Sequence, residues 1–92
     1  MENIIIDKDF KALSNALDAK TFKLLEENIV ENGCLEALVV WGDTLIDGHN
    51  RYAICKKHGI AFSTVEVNLR SKDEALVWII ATQVGRRRRL RS

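Results

Sequence analysis

The chain has 92 residues, of which 47% are hydrophobic and 29% charged, with a net charge of +1. That is the size and composition of one globular domain with a modest core. Its best apolar stretch, 75–81, falls far short of the roughly 20 residues of a membrane helix, and Met1-Glu2-Asn3 lacks the basic start and cleavage site of a secretory signal. A cytoplasmic protein with no membrane partner is therefore expected.

The net charge hides an asymmetry. Residues 1–85 carry nine basic and thirteen acidic side chains, a balance of −4, whereas Arg86, Arg87, Arg88, Arg89 and Arg91 give the tail +5. The body has no general attraction to nucleic acid, and the tail has. Cys34 and Cys55 form no C-x-x-C pair, so two reduced cysteines are expected rather than a zinc site.

In chain order, Ile4-Ile5-Ile6 reads as a first strand ended by Asp7-Lys8-Asp9, and 10–17 as a loop with one helical turn. Asp18 is a good N-cap for a helix with Phe22, Leu25 and Ile29 at helical spacing, stopped by Gly33. Leu38-Val39-Val40-Trp41 and Thr44-Leu45-Ile46 read as two strands around a Gly42-Asp43 turn. A helix over 52–58 follows, with Gly59 as its left-handed terminator and Ile60 folding back onto it. His58 sits there as a partner for the helix dipole. Val65, Val67 and Leu69 alternate within a strand over 62–69. Ser71-Lys72-Asp73-Glu74 is a capping box opening a last helix, with Leu76, Ile79, Ile80 and Gln83 facing inward, Trp78 at one flank and an interruption at Gly85.

The strand-to-helix junction Asp47-Gly48-His49-Asn50-Arg51-Tyr52 is the most informative stretch. A helix N-terminus presents backbone N–H groups and a partial positive charge. Gly48 lets a ligand approach the backbone closely, Arg51 brings a planar fork of donors suited to phosphate, and His49 and Asn50 stand beside it. Phosphate, on a nucleotide or on nucleic acid, is the ligand this corner suits. His49 is also a candidate general base. Asp47 and Asp43 are candidates to hold a metal together with phosphate oxygens. Each of these groups also has a plain structural reading: a turn, a helix cap, a surface ion pair of Arg51.

Ile29 and Gly33 ahead of Val39-Val40, then Leu45-Ile46-Asp47-Gly48-His49-Asn50-Arg51-Tyr52, Gly59-Ile60, a strand and a helix ending in Gln83-Val84-Gly85-Arg86-Arg87, resemble the ParB N-terminal domain. The resemblance spans about residues 4–87 and is strongest over 29–60. It implies a small α/β domain of the ParB/sulfiredoxin type, a short mixed sheet with about three flanking helices. That fold is shared with sulfiredoxins and some free serine kinases. The domain would occupy 1–85, with 86–92 a basic tail that begins a truncated C-terminal region.

The family's nucleotide site maps onto Gly48, His49, Asn50 and Arg51, with Arg86 reaching the phosphate from the last helix and Glu36 at a position facing the pocket. Asp47, His49 and Glu36 are the candidates for catalysis or metal binding. Partition ParB proteins carry Gly-Glu-Arg-Arg at this turn, and sulfiredoxins carry a reactive Cys where this chain has His49, so sulfiredoxin activity is not expected. Thr82 and Gln83 replace a Glu-Asn pair that helps hold metal and nucleotide, so magnesium-dependent CTP hydrolysis is not expected.

The resemblance implies a phosphate- or nucleotide-binding module (CTP or ATP/ADP, with or without magnesium) of a DNA-associated plasmid, phage or mobile-element protein. Its DNA contacts would come from the arginine tail or a further C-terminal part, and it could pair as a homodimer. Two alternatives stand beside it: an enzyme of the same fold, either a nuclease or a small-molecule phosphotransferase such as a free serine kinase, and a non-catalytic interaction domain.

Overall fold

The computed structural model describes residues 3–14 and 16–91, with the backbone alone for 84–91. The chain is a small mixed α/β domain. Its order is α1 (Lys8–Leu13), α2 (Ala19–Asn32), β1 (Leu38–Trp41), β2 (Thr44–Asp47), α3 (His49–His58), β3 (Thr64–Glu66) and α4 (Lys72–Arg91).

β1 lies at the centre of the sheet, whose strand order is β2-β1-β3. It pairs antiparallel with β2 through a tight turn in which Gly42 has a φ of 59°, and parallel with β3. A bulge between Val39 and Val40 shifts the register, so that Val39 faces Asp47 and Val40 faces Leu45. Successive side chains of a strand point to opposite faces, and both faces are covered here. Leu38, Val40 and Leu45 pack with Tyr52 of α3, Phe62 and Ile4. Val39, Trp41 and Ile46 pack with Phe10 of α1 and Ala75 and Ile79 of α4. α2 lies against α3 through Ile29, Ile54 and Cys55, joined by Phe22, Leu25, Cys34 and Ile60. The Trp41 indole N–H donates to the Leu69 carbonyl at 3.0 Å, tying β1 to the chain entering α4.

Helix ends follow the expected chemistry in several places. The Asp18 carboxylate accepts from the Thr21 N–H at 2.7 Å, Gly33 closes α2 at a φ of 83°, and the Ser71 hydroxyl accepts from the Glu74 N–H. Gly59 closes α3 in the left-handed conformation, the Ile60 N–H reaches the Cys55 carbonyl at 2.9 Å, and Ile60 packs onto the α2–α3 cluster.

Other expectations are corrected. Ile4-Ile5-Ile6 is not a strand: a single parallel bridge joins Ile5 to Thr44. The Asp7 carboxylate accepts from the Asp9 and Phe10 N–H groups and starts α1 at once, leaving no length for a strand. Residues 8–13 are thus a helix that buries Phe10, and the described residues hold four helices. α3 begins at His49 rather than at 52. β3 covers three residues instead of the whole of 62–69, and Val65 within it is exposed, while Val67 and Leu69 lie against the core. Among the described side chains of α4, Ala75 and Ile79 are buried, whereas Ile80 is exposed. The α4 backbone continues through Gly85 to Arg91. Cys34 and Cys55 are free thiols. Burial, with Cys34 alongside, pushes the Cys55 thiol up to about 11, far from the reactive thiolate range.

Candidate functional site

The β2–α3 junction is built around Gly48. Its φ of 99° and ψ of 28° are left-handed, and a Cβ there would lie 2.7 Å from Leu38 Cδ2. Leu38 is fully buried at the centre of the sheet, so only glycine lets α3 start this close to β1. Gly48 is also the N-cap of α3, and no side chain caps the helix. The first intrahelical bond runs from the Tyr52 N–H to the Gly48 carbonyl at 2.8 Å. The positive end of a ten-residue helix therefore opens at this corner.

A cavity of about 180 Å³ lies at that end, lined by Asp47, Gly48, His49, Asn50 and Arg51 together with Ser14, Leu17, Leu25 and Gln83. A larger groove of about 710 Å³ adjoins it between α1 and α3. Ile6, Ala12, Ala16, Tyr52 and Ala53 form its apolar wall, and Lys8 and Lys11 its basic edge. The two share Ser14, His49 and Asn50.

His49 stands where they meet. It is 8% exposed, and neither ring nitrogen has a hydrogen-bond partner among the described residues. A buried polar group without a partner costs on the order of 1–3 kcal/mol, and native structures rarely keep one without a reason. Burial holds the imidazole below its ordinary titration range. The Asp47 carboxylate pulls the other way, and the Lys11 ammonium adds to the lowering.

Arg51 lies on the same first turn, a quarter exposed, and is ion-paired with Glu36, whose side chain is 69% exposed. Glu36 therefore reaches the site through Arg51 and does not line the cavity. Asp47 lines the cavity, whereas Asp43 sits exposed in the hairpin turn, its carbonyl accepting from the Ile5 N–H. Among the described residues no three His, Cys, Asp or Glu side chains come together as a metal site. His58 pairs with Glu26 at 2.7 Å, on the far end of α3, and the His58 and Lys57 bonds hold that carboxylate below its usual range.

The structure thus gathers Asp47, Gly48, His49, Asn50 and Arg51 around one cavity and brings Glu36 to its rim. The side chains of Arg86, Arg87, Arg88, Arg89 and Arg91 lie outside the described residues. Sequence reasoning missed the opposite wall: Ser14, Leu17 and Lys11 from and after α1, Leu25 from α2, and Gln83 as a wall residue. Gln83 donates from Nε2 to the Leu13 carbonyl, fastening α4 to the end of α1. The available signal for α1 was Asp7, an N-cap residue three positions before Phe10. Compared with protein-family models, with curated proteins and with solved structures, the chain finds no match in any of the three.

Proposed function

We propose that the chain is a phosphate- or nucleotide-binding module of the ParB-like kind, serving a DNA-associated protein. The observation that carries this reading is His49: buried, without a partner among the described residues, and facing a cavity at the uncapped start of α3. An anion there meets the helix dipole, a hydrogen-bonding imidazole and the Arg51 guanidinium. Neutral apolar ligands would leave the imidazole nitrogens as they are. The adjoining groove has the volume of a small-molecule site and would take the nucleoside body of CTP, ATP or ADP. Magnesium would enter with the nucleotide, with Asp47 as a carboxylate lining the cavity. DNA contact is assigned to the arginine-rich end of α4, because the rest of the chain is acidic.

The test is an NMR titration of the isotopically labelled chain with CTP, ATP, ADP and pyrophosphate. The amides of residues 48–51 should shift first and saturate, and Arg51→Ala should weaken the effect at least tenfold. Shifts confined to 86–91 would assign all anion binding to the tail and remove the site.

A further inference from the structure

We propose that the outward face of α4 is a dimerisation surface, on which the α4 of a second copy of the chain docks antiparallel about a two-fold axis. Val77 and Ile80 define this face, and neither lines the cavity or the groove at the β2–α3 junction, so the surface is separate from the anion site.

α4 carries apolar residues on two sides. Ala75 and Ile79 are buried over the sheet. On the opposite side Val77 is 65% exposed and Ile80 51%, with the exposed Ala81 beside them. Val77 and Ile80 are three residues apart, hence neighbours on one helix face, and neither joins a core cluster of the described residues. A single exposed apolar side chain is ordinary surface. Here the backbone stays helical through Arg91, so a spacing of four and three runs through Asp73, Val77, Ile80, Val84 and Arg87. That is the register of a helix seam.

The two ends of α4 select the partner. Its first turn is acidic, with Asp73 and Glu74, both exposed and neither ion-paired among the described residues. The neighbouring Lys72 is taken by Asp7 and Asp9. Its last turns carry Arg86, Arg87, Arg88, Arg89 and Arg91. The helix is therefore complementary in charge to itself reversed. A parallel pair would set one arginine run against the other, and like charges across a seam are unfavourable. An antiparallel pair lays each arginine run along the acidic first turn of the other copy, with Ile80 and Val84 at the centre of the seam. Such a contact uses the same patch on both copies and closes at two. Its apolar part covers only about two helical turns, which places it among the weak, readily reversible interfaces.

Sedimentation equilibrium of the intact chain, from about 10 µM to 1 mM at low salt, spans the range expected for so small an interface. It should show a monomer–dimer equilibrium, and the amides of 73–81 should shift with concentration in NMR spectra. Ile80→Glu alters an exposed position and should keep the fold, as circular dichroism will check, while raising the dimer dissociation constant at least tenfold. Asp73→Lys combined with Glu74→Lys tests the orientation. In the antiparallel dimer it sets lysines against arginines and should raise the constant by about three- to tenfold, an effect that high salt removes. In a parallel dimer it exchanges acid–acid for lysine–lysine contact, and an unchanged constant would overturn the antiparallel arrangement. A chain that stays monomeric over the whole range, or a dimer that Ile80→Glu leaves intact, would overturn the surface itself.

Discussion

Glu36, in the segment before β1, is ion-paired with Arg51 on the first turn of α3. The strongest phosphate-binding side chain of the junction is therefore already matched to a carboxylate. An incoming anion must either displace Glu36 or share Arg51 with it. The two residues should consequently respond in opposite directions. Exposed ion pairs contribute about 0.2–1 kcal/mol, so Glu36→Gln should tighten sulfate or pyrophosphate binding by roughly 1.5- to 5-fold. Arg51→Ala removes a charge-assisted hydrogen bond of about 1.5–3 kcal/mol and should weaken binding by about ten-fold or more. Isothermal titration calorimetry of both variants checks the pair; weakening by both would mean that Glu36 supports the site rather than competing for its arginine.

Gly48→Ala should be costly for two separable reasons. Its φ of 99° strains any residue with a Cβ, and that Cβ would sit 2.7 Å from the buried Leu38 side chain. Together these amount to about 2–4 kcal/mol. Gly42→Ala, at a φ of 59° with open space around it, should lose only about 1–2 kcal/mol. Urea denaturation of the two variants should reproduce that order, and equal losses would remove the special role of the Gly48–Leu38 approach.

Stability should fall on mild acidification. The His49 pKa is lowered in the folded chain, so below the ordinary histidine value near 6.5 the unfolded chain binds a proton that the folded chain resists. The stabilisation is present above that value and is lost as pH falls toward the folded pKa. Thermal melting in chloride should therefore decline between pH 7.5 and 5.5, and His49→Gln should flatten the decline. The Glu26 carboxylate, held below its usual range by His58 and Lys57, contributes in a lower window, its stabilisation fading only as pH drops below about 4.5.

DNA binding should be weak, independent of sequence and carried by the end of α4. Five phosphate contacts correspond to a log–log salt slope of about −4 to −5. The inward positions described on α4, Ala75, Ile79 and Gln83, precede that end, and a chain ending at residue 85 should fold and lose the binding. Fluorescence anisotropy across a salt series checks both points. Undiminished binding by the shortened chain would move the contact to the acidic body.

The sequence carried the junction itself, because a glycine between an apolar strand and a helix has few other uses; Asp18 and Ser71 marked helix starts by their own hydrogen-bonding chemistry, and Gly59 marked a helix end by its left-handed backbone. The facing wall was less legible. Asp7 looked like the end of a strand because three isoleucines preceded it, yet as an N-cap it starts α1 and brings Lys11 and Ser14 to the cleft. The inward face of α4 was misjudged at Ile80, since a small residue, Ala75, takes the buried position over the sheet. That Arg51 is engaged by Glu36 and that His49 is buried are matters of tertiary placement, which local pattern does not encode.

The most direct measurement is a crystal structure of the chain grown with pyrophosphate or CTP. The expected result is phosphate density at the start of α3, within hydrogen-bond distance of the His49 ring and the Arg51 guanidinium, with the Glu36–Arg51 pair opened or shared. A fully saturated ligand seated elsewhere, with the His49 ring still buried and unpartnered, would contradict it.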